Sequence, residues 1–259
     1  VPSNLTDLIP EDLREPILVH DMEAAGLFYN NETYKTPPID SWWDLTRPEW
    51  KGKFCMKDPT LVPTIMHFFT VLTMPEYVKM LEDSYLEEFG KPLKLDPKVP
   101  NAAFQLMKDL VKNDIVFLPS DGAISKAVGT RGQEDPPIGL TYLSQLRHLK
   151  PKNYAFDVIY DLKPFMGFLK RNVVGIANMA PHPNAAKLFI LFFLGDEKGG
   201  KGYAPFFRPG TWSSRKDMAL PPGTRPIEEY NLIDIEKYAD YIWASETLTR
   251  QFWTELLGD

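Results

Sequence analysis

The chain has 259 residues, with 29 Lys and Arg against 35 Asp and Glu, a formal net charge of -6, one Cys and 24 Pro. A hydrophobic content of 44% excludes a disordered chain, and the length suits one large domain or two lobes of about 100–150 residues. The acidic balance, without any dense basic run, argues against nucleic acid as a partner, and a lone Cys55 excludes an internal disulfide or a multi-cysteine metal site.

Residues 1–47 read as irregular pieces around a short strand near 26–29, ending in Pro37-Pro38 and a Ser41-Trp42-Trp43-Asp44-Leu45 turn into a short helix. A short buried strand is predicted over 53–56, stopped by Asp58-Pro59. Helices follow over 63–73 and from Pro75 at N1 to Gly90. Asn101 caps a third, in which Phe104, Met107, Leu110 and Val111 form one face. An apolar run at 115–118, a short helix at 120–129 and another run at 138–141 complete the alternation of a βαβ sheet.

Further strands are predicted over 156–160 and 172–178. The helix at 185–194 is apolar on nearly every face and is expected to be buried on two sides. A loop at 205–222 precedes an amphipathic closing helix at 235–257. The longest apolar run, 188–194, is far short of the roughly 20 residues that span a bilayer. Val1 is not an initiator Met and no charged-then-apolar leader follows, which leaves open a removed targeting segment or a start cut elsewhere.

No residues nominate catalysis. His20, His67, His148 and His182 show no metal-ligand spacing, and GxSxG, GxxxxGK[ST] and GxGxxG are absent. His67, in an apolar helix, reads as a core histidine, and Cys55, between Phe54 and Met56, as packing rather than a nucleophile. The expectation is a non-enzyme with no catalytic residue, metal or cofactor. What stands out is two strand-to-helix junctions rich in small hydroxyl residues: Thr60 with Thr64, and Ser120-Asp121-Gly122. In an open α/β sheet ligands settle at the carboxyl ends of strands, where helix N-termini hold anionic or polar groups. Either junction alone also reads as simple capping. Tyr29-Asn30 after one strand and Gly167-Phe168 before another add aromatic and small residues suited to a cleft.

The order of these motifs resembles a known family. Phe28-Tyr29-Asn30, then Pro38-x-x-Ser41-Trp42-x-Asp44-Leu45-x-x-Pro48-x-Trp50-Lys51-Gly52-Lys53, is similar to the hinge and entry to the second lobe of extracellular solute-binding proteins of the ferric-iron-binding type. Pro181-His182-Pro183-Asn184-Ala185-Ala186-Lys187-Leu188-Phe189 and the later Phe207-Arg208 with Ser214-Arg215-Lys216-Asp217 extend the likeness over roughly 24–218.

The resemblance implies an α/β fold of the periplasmic-binding-protein kind: two lobes joined by a hinge, with ligand clasped between them. The second lobe would span 48–165 and a discontinuous first lobe 1–47 and 166–259, with chain crossings near 29–50 and 164–172. It implies a solute-binding protein of a bacterial ABC importer, located in the periplasm or otherwise outside the cytoplasm, which takes a small polar or anionic solute and docks on permease subunits. The alternative implied is a ligand-sensing module that presents the same fold to a receptor kinase. Site residues on this reading are Tyr29, Asn30, Thr60, Thr64, Ser120, Asp121, Gly122, Thr141, Tyr142 and Gly167. Iron-binding members carry a Tyr-Tyr pair where this chain has Thr141-Tyr142-Leu143, and a single Tyr makes a poor ferric site. Members also open with two or three βαβ units, so about 60–100 residues of the first lobe have no counterpart here. A second polypeptide carrying those strands, or a symmetry mate exchanging equivalent elements, is therefore expected to cover the apolar helix.

Overall fold

A computed structural model describes residues 7–15 and 17–258. Its spine is β1, Leu18–Tyr29, in which every residue after Leu18 is buried. Burial on both faces removes the polar–apolar alternation of a half-exposed strand, and the charged residues Asp21 and Glu23 interrupt the apolar run. For that reason the sequence shows only its last third as a strand.

The other strands are β2 (Phe54–Met56), β3 (Val116–Phe117), β4 (Ile138–Tyr142), β5 (Asp157–Val158), β6 (Gly167–Val174), β7 (Thr211–Ser213) and β8 (Leu232–Asp234). They form one mixed sheet in the order β3-β2-β4-β1-β6-β8, with β5 and β7 also added to β1. β2 runs parallel to β3 and β4, and β6 parallel to β8, while β1 is antiparallel to all its neighbours. Along one edge of β1 lie β7, opposite 21–23, and β4, opposite 25–28; along the other lie β6, opposite 18–26, and β5, opposite 28–29. β1 thus joins the two ends of the sheet before residue 29, earlier than the crossing expected at 29–50. The strand expected at 172–178 begins instead at Gly167, and the loop expected at 205–222 contains β7.

The helices start and stop where local chemistry dictates. Pro63 and Pro75 open α1 (Pro63–Leu72) and α2 (Pro75–Phe89) at N1, and Gly90, at φ 65°, closes the second. Asn101 Oδ1 accepts from the Ala103 and Phe104 amides to start α3 (Ala102–Lys112), and Ser120 caps α4 (Asp121–Gly129). The Ser41–Asp44 capping box turns Trp42 and Trp43 into the core, where their indoles donate to the Phe165 and Leu81 carbonyls, each at 2.9 Å.

Two helices depart from expectation. The closing helix α6 (Ala239–Gly258), which the sequence reading places with 166–259, lies against α1 and α3: Trp253 meets Phe69 at 5.0 Å and Phe252 meets Phe104 at 4.8 Å between ring centres. α5 (Pro183–Phe193), expected to be buried on two sides, has no buried residue. It docks through Phe193, stacked on His20 at 3.9 Å, and leaves Leu188, Phe189 and Phe192 at 68%, 59% and 54% exposure. Among the contacts of the described residues, only Phe192 is approached on that face, by Gly202 of the 3-10 turn Lys201–Tyr203.

Candidate functional site

The parallel strands β2 and β4 end at Met56 and Tyr142, and the residues that follow or end them open a cleft of about 360 Å³. Lys57 comes from the end of β2, Thr64 from the first turn of α1, and Asp121 from the first turn of α4. Tyr142 ends β4, and the 3-10 turn Leu143–His148 adds Ser144, Gln145 and Arg147. The long strands complete the wall, because Glu23 of β1 and Lys170 of β6 are register partners, and Arg208 arrives from the loop before β7.

Four cations thus face one space with two carboxylates, a local excess of positive charge in a chain of net charge -6. Lys57 Nζ is 2.9 Å from Asp121 Oδ2, and Thr141 Oγ1 donates to the other oxygen of that carboxylate at 3.0 Å. Arg208 reaches Glu23 only at 3.4 Å. Arg147 donates to the Ser144 carbonyl at 3.1 Å, and burial followed by the charge of Arg208 pushes it below its ordinary value. Lys170 lies with Lys57 over the Tyr142 ring, at 5.5 and 4.9 Å from its centre. Arg147 and Lys170 have no carboxylate ion pair among the described residues. Burial, and next the negative charges of Glu23 and Asp121, raise the Tyr142 phenol above its ordinary value, so it stays a neutral hydroxyl.

Of the residues expected at the site, Thr64, Asp121 and Tyr142 meet in this cleft, and Thr141 stands behind Asp121. The others do not line it. Thr60 is turned back on Asp58 Oδ1, to which its amide and hydroxyl donate at 2.7 and 2.6 Å. Ser120 Oγ is a cap, accepting from the Ala123 amide, and Gly122 belongs to the same helical turn. Asn30 is wholly buried as a clamp: its amide donates to the Val128 and Thr130 carbonyls, and its oxygen accepts from the Glu32 and Thr33 amides. Tyr29 is buried opposite Asp157, and burial followed by that carboxylate raises its phenol. Gly167 packs where a Cβ would stand 2.0 Å from the Ala25 carbonyl oxygen, so it serves strand pairing. The residues that sequence reasoning missed are the charged ones: Glu23, Lys57, Arg147, Lys170 and Arg208. A signal existed for Glu23, since a carboxylate inside an otherwise buried strand is costly without a partner.

A mixed α/β sheet held by one long strand carries a charged cleft at the carboxyl ends of parallel strands, the place where such sheets receive a ligand. The chain matches the bacterial extracellular solute-binding protein model over residues 15–199 and belongs to that family. Its architecture is the periplasmic-binding-protein fold. Iron-bound HitA from Pseudomonas aeruginosa superposes with a TM-score of 0.69 at 14% identity, covering 99% of this chain and 75% of that one. The fructose-6-phosphate-bound periplasmic binding protein AfuA from Actinobacillus pleuropneumoniae gives 0.65 at 17%, covering 97% and 73%. The open form of ferric iron-binding protein A from Mannheimia haemolytica gives 0.61 at 14%, covering 99% and 75%. A sequence search among curated proteins finds no match. Among the described residues no helix is long and apolar enough to cross a membrane.

Proposed function

We propose that this solute-binding protein captures a small anionic solute in the cleft and delivers it, chemically unchanged, to the permease subunits of an ABC importer outside the cytoplasm. The observation that carries this reading is the set Lys57, Arg147, Lys170 and Arg208, two of them without a carboxylate partner. Similar structures hold iron in one case and a sugar phosphate in another. Here the single cleft tyrosine is held neutral and ringed by cations, which opposes a ferric ion and favours an oxyanion.

Closure about β1 and β6 would bring Glu23, Lys170 and Arg208 toward the groups on 48–165, the closing helix moving with the latter because it packs on α1 and α3. Solute favours the closed state by the contacts it makes only there. A second polypeptide completing the first lobe over the exposed face of α5 is part of this reading.

Calorimetry with inorganic phosphate, fructose 6-phosphate and ferric citrate tests it. Binding of a phosphate compound, weakened about 10–100-fold by Arg147→Ala as expected for one lost charge-assisted hydrogen bond, supports the reading. Ferric binding with a tyrosinate absorbance band and no anion binding would refute it.

A further inference from the structure

Beside the basic cleft lies a second cavity of about 320 Å³, and the two share Glu23, Lys170 and Arg208 in their walls. The two cavities adjoin at these residues, and beyond them their linings differ. Apart from Val62, the first wall is made of charges, amides and hydroxyls. The second adds Phe193, Phe206, Val173 and Val174, with His20, Asp21 and Asn172 among them.

The two phenylalanine rings are held in place by their neighbours. His20, 2% exposed, stacks on Phe193 at 3.9 Å with an interplanar angle of 15°, and Phe206 stands edge-on to both, at 4.7 and 5.1 Å. The imidazole is tied at each nitrogen: Nδ1 lies 2.7 Å from Asp21 Oδ1, and Nε2 donates to the Phe193 carbonyl at 3.0 Å. Asn172 holds the other oxygen of Asp21 at 3.2 Å. Asp21 is fully buried, so the aromatic wall rests on a polar clamp rooted in β1 and does not rotate freely. Arg208 stands at the boundary, its guanidinium 5.8 Å from the Phe206 ring centre.

We propose that the solute is bipartite: an oxyanion head in the basic chamber and a planar unsaturated ring in the aromatic chamber, passing Arg208 between them. This rests on the anion-binding reading above and goes beyond it. Together the chambers have the volume of a site for a drug-sized molecule, and a bare phosphate ion leaves the second one filled with water. Ring stacking on Phe206, with the Arg208 guanidinium against the solute's π face, favours an aryl or heterocyclic body over a polyhydroxyl one.

The experiment is calorimetry of the purified chain with phenyl phosphate, inorganic phosphate and fructose 6-phosphate. Phenyl phosphate is expected to bind about tenfold more tightly than either of the others, the size of one good aromatic contact plus its buried area. Phe206→Ala lowers affinity for phenyl phosphate more than for inorganic phosphate, so that the preference collapses. Phe206→Leu, which keeps apolar bulk without a ring, reduces the preference as well, and unchanged melting of either variant shows that folding is not the cause. Inorganic phosphate binding with no preference for phenyl phosphate, a preference for fructose 6-phosphate, or a preference that survives both variants overturns the inference while leaving the anion reading intact. Failure of the folded protein to bind any of the three overturns both.

Discussion

Glu236 offers a test of how burial shapes this protein. It sits in the 3-10 turn Ile235–Tyr238 that leads into α6, and its carboxylate accepts from the amide of Arg171, beyond the stretch of β6 that β8 covers. Its Oε2 is buried without a hydrogen-bond partner. Burial is the main cause that pushes this carboxyl from 4.5 to about 7; Asp234 adds to it, while the Arg171 amide and charge oppose it.

A carboxyl whose value is raised in the folded state holds its proton after the unfolded chain has released it. Stability is therefore full below pH 4.5, falls as the pH rises to about 7, and levels off above that. At about 1.4 kcal/mol per pH unit the loss is at most about 3.5 kcal/mol, and solvent reaching the open side of the residue reduces it to about 1–2 kcal/mol. Glu236→Gln keeps an oxygen acceptor and removes the charge. At pH 8 it should melt about 3–6 °C higher than the parent, and at pH 4 the two should coincide. Calorimetric melts from pH 4 to 8 decide the matter. A pH-independent difference, or a variant less stable at pH 8, would refute the argument from burial.

Asn30→Ala removes four hydrogen bonds, two from the end of β1 to the Val128 and Thr130 carbonyls and two that hold the 30–33 turn; it should cost about 2–4 kcal/mol in urea unfolding while solute affinity is unchanged. Lost affinity at native stability would instead return Asn30 to the binding site. The Cys55 thiol, pushed up to about 12 by burial, should resist iodoacetamide at pH 8 in the native protein and label fully in denaturant; rapid native labelling would contradict its buried place beside β4.

What the sequence determined by itself is local. The prolines at 63 and 75, Gly90 and Asn101 bound their helices because each acts through its own backbone or its near neighbours, and the Ser41–Asp44 box needs only a three-residue spacing. The hydroxyl-rich junctions follow β2 and β3, and one residue of each, Thr64 and Asp121, lines the cleft. Which side chains face the cleft was decided elsewhere. Thr60 turns to Asp58 while Thr64 lines the cavity, a difference of one helical turn that composition does not carry. Glu23 and Lys170 meet only through the register of β1 on β6, and Lys57, Arg147 and Arg208 arrive from segments up to 151 residues apart in the chain. The exposed face of α5 follows the same logic. Its apolar character is written in 188–194, but how much of it is covered depends on what the rest of the fold lays over it, and here that is His20, Phe206 and the 3-10 turn Lys201–Tyr203, which leave Leu188, Phe189 and Phe192 largely exposed. Capping and turn formation are set within a few residues; charge convergence and burial require strands and loops distant in sequence to pack in one register, and only the tertiary structure does that.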